Sequence, residues 1–105
     1  MTLNEYQQTS KQFLKNPAFH KLEYYALGLA GETGETIDEI KKMIRDDASL
    51  LTEERKEKLL SEIGDVLWYI AQMASVIDVP LSTIAEKNIE KLRERKTLRE
   101  ETKKS

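Results

Sequence analysis

Residues 21–45 read KLEYYALGLAGETGETIDEIKKMIR, and the spacing within this stretch decides the fold. Leu22, Ala26, Leu29, Thr33, Ile37, Ile40 and Ile44 follow one another at intervals of 4, 3, 4, 4, 3 and 4. Such a repeat draws one continuous stripe down the side of a helix. Gly28, Gly31 and Gly34 lie inside the stretch. Each weakens a helix by about 1 kcal/mol relative to alanine, so their clustering predicts close backbone approach or local bending.

On the N-terminal side, Thr2-Leu3-Asn4-Glu5 fits a capping box, and Leu3, Tyr6, Ser10 and Phe13 recur at helical spacing. Asn16-Pro17 ends that first helix. On the C-terminal side, Asp46 to Leu51 reads as a connector, and Thr52 followed by Glu53 and Glu54 opens a third helix. Its stripe is Leu59, Ile63, Val66, Ile70, Ala74 and Ile77, and Asp78-Val79-Pro80 stops it. Ser82 is the expected cap of a fourth helix, with Glu86 in its first turn, carrying Ile84, Ala85, Ile89 and Leu92 toward Arg95. The expected fold is an all-α four-helix bundle in which the two long central helices form an antiparallel hairpin. Residues 1–95 form one domain, and the charged tail 96–105 is expected to fray. Stripes this long on a chain this short call for a second copy to complete their burial.

Composition agrees. A chain of 105 residues suffices for one core, and 39% hydrophobic with 34% charged residues suits helices with broad solvated faces. Four glycines and two prolines are too few for a sandwich or barrel. The net charge of −2 provides no general field for a nucleic-acid backbone. With no cysteine, thiolate metal sites and disulfides are excluded, and a single histidine, His20, argues against a histidine-rich zinc site or a Ser-His-Asp triad. His20 is assigned a structural or surface role. No apolar run reaches the roughly 20 residues of a membrane span, and no signal peptide is read, so a soluble cytoplasmic protein is expected.

Two acidic pairs carry the chemistry: Glu32-Thr33-Gly34-Glu35 on the second helix and Glu62-Ile63-Gly64-Asp65 on the third. The i, i+3 spacing places the carboxylates of each pair roughly 60° apart on one face. Both pairs border the apolar stripe of their helix, so an antiparallel hairpin lets them face each other at the edge of the core. Four carboxylates gathered there repel one another and lose solvation unless a cation compensates. Hard divalent ions, Mg²⁺ or Mn²⁺, match oxygen ligands, and Mg²⁺ commonly also binds phosphate oxygens. One such pair alone reads as an ordinary solvated face; two are less ordinary. Glu39, one turn beyond Glu35, is a candidate further ligand or outer partner, whereas Asp38 reads as solvated.

Substrate contacts are sought on the flanks. Asn88, Lys91 and Arg95 share one face of the fourth helix and can serve a sugar or base edge and phosphate oxygens, or simply form a basic solvated edge. Trp68 and Tyr69 follow Asp65 and can stack on a base or pack in the core. Lys41 and Lys42 are read as solvated cations.

The run Gly28-Leu29-Ala30-Gly31-Glu32-Thr33-Gly34-Glu35, followed by Ser61-Glu62-Ile63-Gly64-Asp65-Val66-Leu67-Trp68-Tyr69, resembles the MazG-like all-α nucleoside triphosphate pyrophosphohydrolases. Their E-x-x-E and E-x-x-D pairs map onto Glu32, Glu35, Glu62 and Asp65, and Asn88-Ile89-Glu90-Lys91-Leu92 resembles their C-terminal segment. The resemblance covers roughly residues 3 to 95. It implies Mg²⁺-dependent hydrolysis of nucleoside triphosphates between the α- and β-phosphates, with Glu32, Glu35, Glu62 and Asp65 as metal ligands. It further implies Glu32 or Glu35 as proton acceptor, Asn88, Lys91 and Arg95 as substrate contacts, and homodimers or homotetramers that clear surplus or non-canonical nucleotides. Two alternatives stand beside it: a non-catalytic helical interaction module, and a metal-dependent hydrolase of another phosphorylated substrate.

Overall fold

The computed structural model describes residues 1–104, and no strand occurs among them. The elements are α1 (Leu3–Ser10), two 3₁₀ turns (Lys11–Phe13 and Pro17–Phe19), α2 (Leu22–Asp46), α3 (Glu53–Val76) and α4 (Leu81–Lys104). The starts of α1 and α3 follow from local chemistry. Thr2 and Glu5 form the reciprocal capping box, and the Thr52 hydroxyl accepts from the Arg55 amide. The end of α3 is made by Asp78, whose φ of 58° puts it in the left-handed region, with its N–H bound to Ser75 O and that of Val79 to Ala74 O. From there the chain turns by 100° into α4.

Helices α2 and α3 form the expected antiparallel hairpin, but most of the α2 stripe stays exposed and the contact with α3 runs through Tyr25, Gly28 and Glu39 beside it. Tyr25, near the start of α2, meets Trp68 and Tyr69 of α3, whereas Glu39, farther along α2, meets Arg55 near the start of α3. Arg55 is the lock of the closed end. Its guanidinium binds Glu39 at 2.7 Å and Asp47 at 2.8 Å, with all three side chains largely withdrawn from water. These bonds hold the Asp47–Leu51 connector, in which Ala48 and Ser49 adopt positive φ. Glu39 is therefore spent on structure, which corrects its reading as a candidate metal ligand.

Of the four glycines, only Gly28 meets the predicted close approach. A Cβ there would run into the Tyr69 ring. Gly31, Gly34 and Gly64 face open space, with nothing within 4 Å of a Cβ.

The first helix lies across the other end and ties the C-terminal arm to the hairpin. Ser10 receives Trp68 Nε1 on its carbonyl (3.1 Å) and Gln72 Nε2 on its hydroxyl (2.7 Å). The N–H groups at the start of α4 that lack a partner in the helix are capped from α1: Leu81 N donates to Gln7 Oε1 (2.8 Å) and Ser82 N to Asn4 Oδ1 (3.0 Å). Ser82 is thus inside the first turn and receives a cap instead of supplying one. The helix also runs on to Lys104, so the charged tail is helical where fraying was expected.

The core within one chain is small. Tyr25, Ala71, Ala74 and Leu81 are its buried apolar residues, while Ile37, Ile44, Ile63, Ile89 and Leu92 remain exposed. The radius of gyration is 17.6 Å, well above the roughly 13 Å of a compact chain this long. No single helix is long and apolar enough to cross a membrane.

Candidate active site

Tyr25, Glu32 and Glu39 stand seven residues apart on α2, about two turns each, so they point the same way. The contacts of Tyr25 and Glu39 show that this way is toward α3. Glu32 is therefore directed between the aromatic layer and the Arg55 lock, at the level where α3 presents Glu62 and Asp65. Carboxylate oxygens of Glu32, Glu62 and Asp65 all lie within 4.8 Å of one another. None of the three has a cationic partner among the described residues.

The charge balance of this cluster is unfavourable as it stands. Burial raises the pKa of Glu32, and the neighbouring charges of Asp65, Glu62 and Glu35, with a hydrogen bond shared with Glu62, raise it further. A proton is one way to relieve such crowding, and a hard cation is the other. Glu35, on the next turn of α2, is exposed and lies outside the 4.8 Å group, though near enough for its charge to act on Glu32. The structure thus brings three of the four sequence-predicted carboxylates together and sets the fourth beside them.

A cavity of about 490 Å³ opens over Glu32 and Asp65. Trp68 and Tyr69 form its inner wall. Trp68 is held edge-on to both Tyr25 (6.0 Å, 77°) and Tyr69 (5.1 Å, 88°), and its N–H is committed to Ser10, so only its ring is offered to the cavity. The Tyr69 hydroxyl is raised in pKa, first by burial and then by the charges of Tyr24, Glu32 and Asp65.

The outer rim was not foreseen from sequence. It comes from residues 13–16, Phe19 and Tyr24, in and after the turns that join α1 to α2. The available signal was three aromatics, Phe13, Phe19 and Tyr24, around Pro17, all off the stripe that defined α2. Lys15 is the cation on this rim. By contrast, Asn88, Lys91 and Arg95 are exposed on α4 and do not line the cavity of their own chain. Lys41 and Lys42 pair with Asp38 on the far-side surface chemistry of α2. His20 hydrogen-bonds the Tyr25 hydroxyl through Nδ1 at 2.9 Å, which steadies the start of α2.

Gene 37 protein of Mycobacterium phage L5 is 45% identical over 75 residues, which cover 71% of this chain and 66% of that protein. The chain therefore spans just under two thirds of the length of that relative. A family profile for the MazG nucleotide pyrophosphohydrolase domain matches residues 20–99, a region that includes both acidic pairs and the hairpin carrying them. The chain belongs to the MazG nucleotide pyrophosphohydrolase domain family.

Proposed function

We propose that the chain hydrolyses nucleoside triphosphates in a Mg²⁺-dependent reaction, cleaving between the α- and β-phosphates to give a nucleoside monophosphate and pyrophosphate. The observation that carries this reading is the group of three carboxylates without a cationic partner among the described residues, Glu32, Glu62 and Asp65, of which Glu32 and Asp65 line a cavity of about 490 Å³ with Trp68 and Tyr69.

The donor set suits a hard cation: every donor is a carboxylate oxygen, and no nitrogen or sulfur ligand stands among them. Glu32, Glu62 and Asp65 would hold Mg²⁺, with Glu35 reaching in from the next turn; Mn²⁺ fits the same donors. When bound, the ion neutralises the triphosphate and polarises the phosphorus under attack.

Glu32 and Glu35 are the candidates to take a proton from the attacking water. Both stand on the face of α2 that borders the cluster, one turn apart. The Trp68 and Tyr69 wall excludes water from one side of the phosphates and offers ring surface to the nucleoside. Asn88, Lys91 and Arg95 act on substrate only where α4 meets the site of another copy, so a homodimer or homotetramer is part of the proposal. The exposed stripes of α2, α3 and α4 favour such an assembly. Clearance of surplus or non-canonical nucleotides in the cytoplasm is the proposed role.

The test is a panel of canonical and modified triphosphates with and without Mg²⁺, scoring pyrophosphate against orthophosphate. Pyrophosphate release that disappears in Asp65→Ala and Glu35→Ala supports the reading. Orthophosphate alone contradicts α–β cleavage, and no release from any nucleotide favours a helical interaction module.

A further inference from the structure

Gln72 is fully buried, yet its amide is only half paired. Its Nε2 donates to Ser10 Oγ at 2.7 Å, whereas its Oε1 has no protein partner among the described residues. The neighbouring bond fixes the amide this way round. The single hydrogen of the Ser10 hydroxyl goes to Gln7 O at 2.7 Å, so toward Gln72 that oxygen can only accept. A buried acceptor left open costs free energy that an apolar side chain of the same length does not. Packing alone therefore gives no reason for an amide here; what it adds is the grip on Ser10.

Ser10 stands where two sides of the cavity are tied together. It is buried at the end of α1, three residues ahead of the rim segment 13–16. Its carbonyl accepts Trp68 Nε1 at 3.1 Å, and the Trp68 ring belongs to the inner wall. That bond takes the one polar group of the indole. On α3, Asp65, Trp68 and Gln72 follow at intervals of 3 and 4 and so share one face. One line of side chains thus runs from the candidate cation site, through the wall, to the residue that grips Ser10.

We propose that Gln72 is a positioning residue for nucleotide binding: by holding Ser10 it sets the Trp68 ring and the rim segment at the separation that admits a nucleotide. Gln72 itself does not line the cavity. The inference rests on the nucleotide reading, so its test follows Trp68, the cation and the nucleotide separately.

The test uses Gln72→Met, which keeps the length of the side chain and removes its bond, and Ser10→Ala, which removes that bond from the other side. Trp68 is the chain's single tryptophan, so its near-ultraviolet circular dichroism reports how firmly the ring is held. Calorimetry measures Mn²⁺ binding and, with Mg²⁺ present, binding of the α,β-methylene analogues of ATP, GTP, CTP and UTP, which resist α–β cleavage. Both variants are expected to blur the Trp68 bands and to leave Mn²⁺ affinity unchanged. Each should weaken every analogue that the wild type binds by about tenfold, the worth of one hydrogen bond. Trp68→Phe keeps a ring and has no N–H, so adding Gln72→Met to it should cost less than a further factor of about two. Wild-type nucleotide affinity in both variants, equal losses for Mn²⁺ and nucleotide, or a full tenfold loss on the Trp68→Phe background would each overturn the proposal. A wild-type chain that binds none of the analogues removes the nucleotide reading and the proposal with it, and that outcome is seen before any variant is made.

Discussion

The α2–α3 hairpin and the α4 arm are made of helices of almost equal length, 25, 24 and 24 residues, but they are held in place by opposite means. The hairpin is fastened from within. Arg55 clasps Glu39 and Asp47 at its closed end, Tyr25 sits against Trp68 and Tyr69 toward the other, and the carboxylates lie between. The arm is fastened only at its root, by Asn4 and Gln7, and beyond Leu81 none of its residues is buried. An amphipathic pattern thus states which face seeks burial, while the partner that provides it is a separate matter: α2 meets α3 through Tyr25, Gly28 and Glu39 while most of its apolar stripe stays exposed, and most of α4 is covered by nothing among the described residues of its own chain.

The sharpest way to break this contrast is to open the hairpin's lock. Arg55→Met leaves Glu39 and Asp47 crowded without their cation, and breaking a buried pair by removing one partner costs about 3–5 kcal/mol. Urea denaturation followed by circular dichroism should show that loss, and Glu39→Gln added to Arg55→Met should recover part of it. A loss under about 1 kcal/mol would mean that the lock is solvated in solution.

The glycines sharpen the comparison at smaller cost. Gly28→Ala drives a methyl into the Tyr69 ring, and such overpacking costs about 1–3 kcal/mol. Gly31→Ala, Gly34→Ala and Gly64→Ala meet open space within the chain and should gain up to about 1 kcal/mol each from better helix propensity. Thermal melts of the four variants decide it. A Gly34→Ala or Gly64→Ala protein that melts lower would reveal a neighbour outside the chain at that position.

The mildest change releases the arm. Gln7→Ala removes the acceptor for the Leu81 amide and the donor to Val79 O, for about 1–2 kcal/mol. Hydrogen exchange should quicken in the first turn of α4 and leave the centre of the hairpin unchanged. Equal quickening in both would show that the two regions open as one unit.

How much could be read beforehand follows the range of the interactions. The helical course of α2 and α3 and the Thr2 and Thr52 caps depend on neighbours within a few residues, and the structure has them; which face of α2 meets α3 depends on contacts across the hairpin, and most of its apolar stripe is left exposed. Glu39 was misread because its partner, Arg55, lies 16 residues away across the hairpin. Ser82 was misread because the caps of α4 arrive from the opposite end of the chain. The tail was misread because charge was taken for fraying, although Lys91 to Lys104 contains no glycine or proline and is rich in Glu, Lys, Arg and Leu, all good helix formers. The cavity rim escaped notice because Asn16 and Phe19 follow no periodic pattern and Phe13 fits the stripe of the first helix; only the course of the turns between α1 and α2 assembles them.

The caps of α4 also bear on the order of folding. They join residues 74 and 78 positions apart, Gln7 to Leu81 and Asn4 to Ser82, almost the full reach of the chain. The hairpin closes through a short connector, and closing a longer loop costs more entropy. Because α1 precedes α4 along the chain, these caps can form only once α2, α3 and the start of α4 are in place, and they fix where Asn88, Lys91 and Arg95 are carried in space.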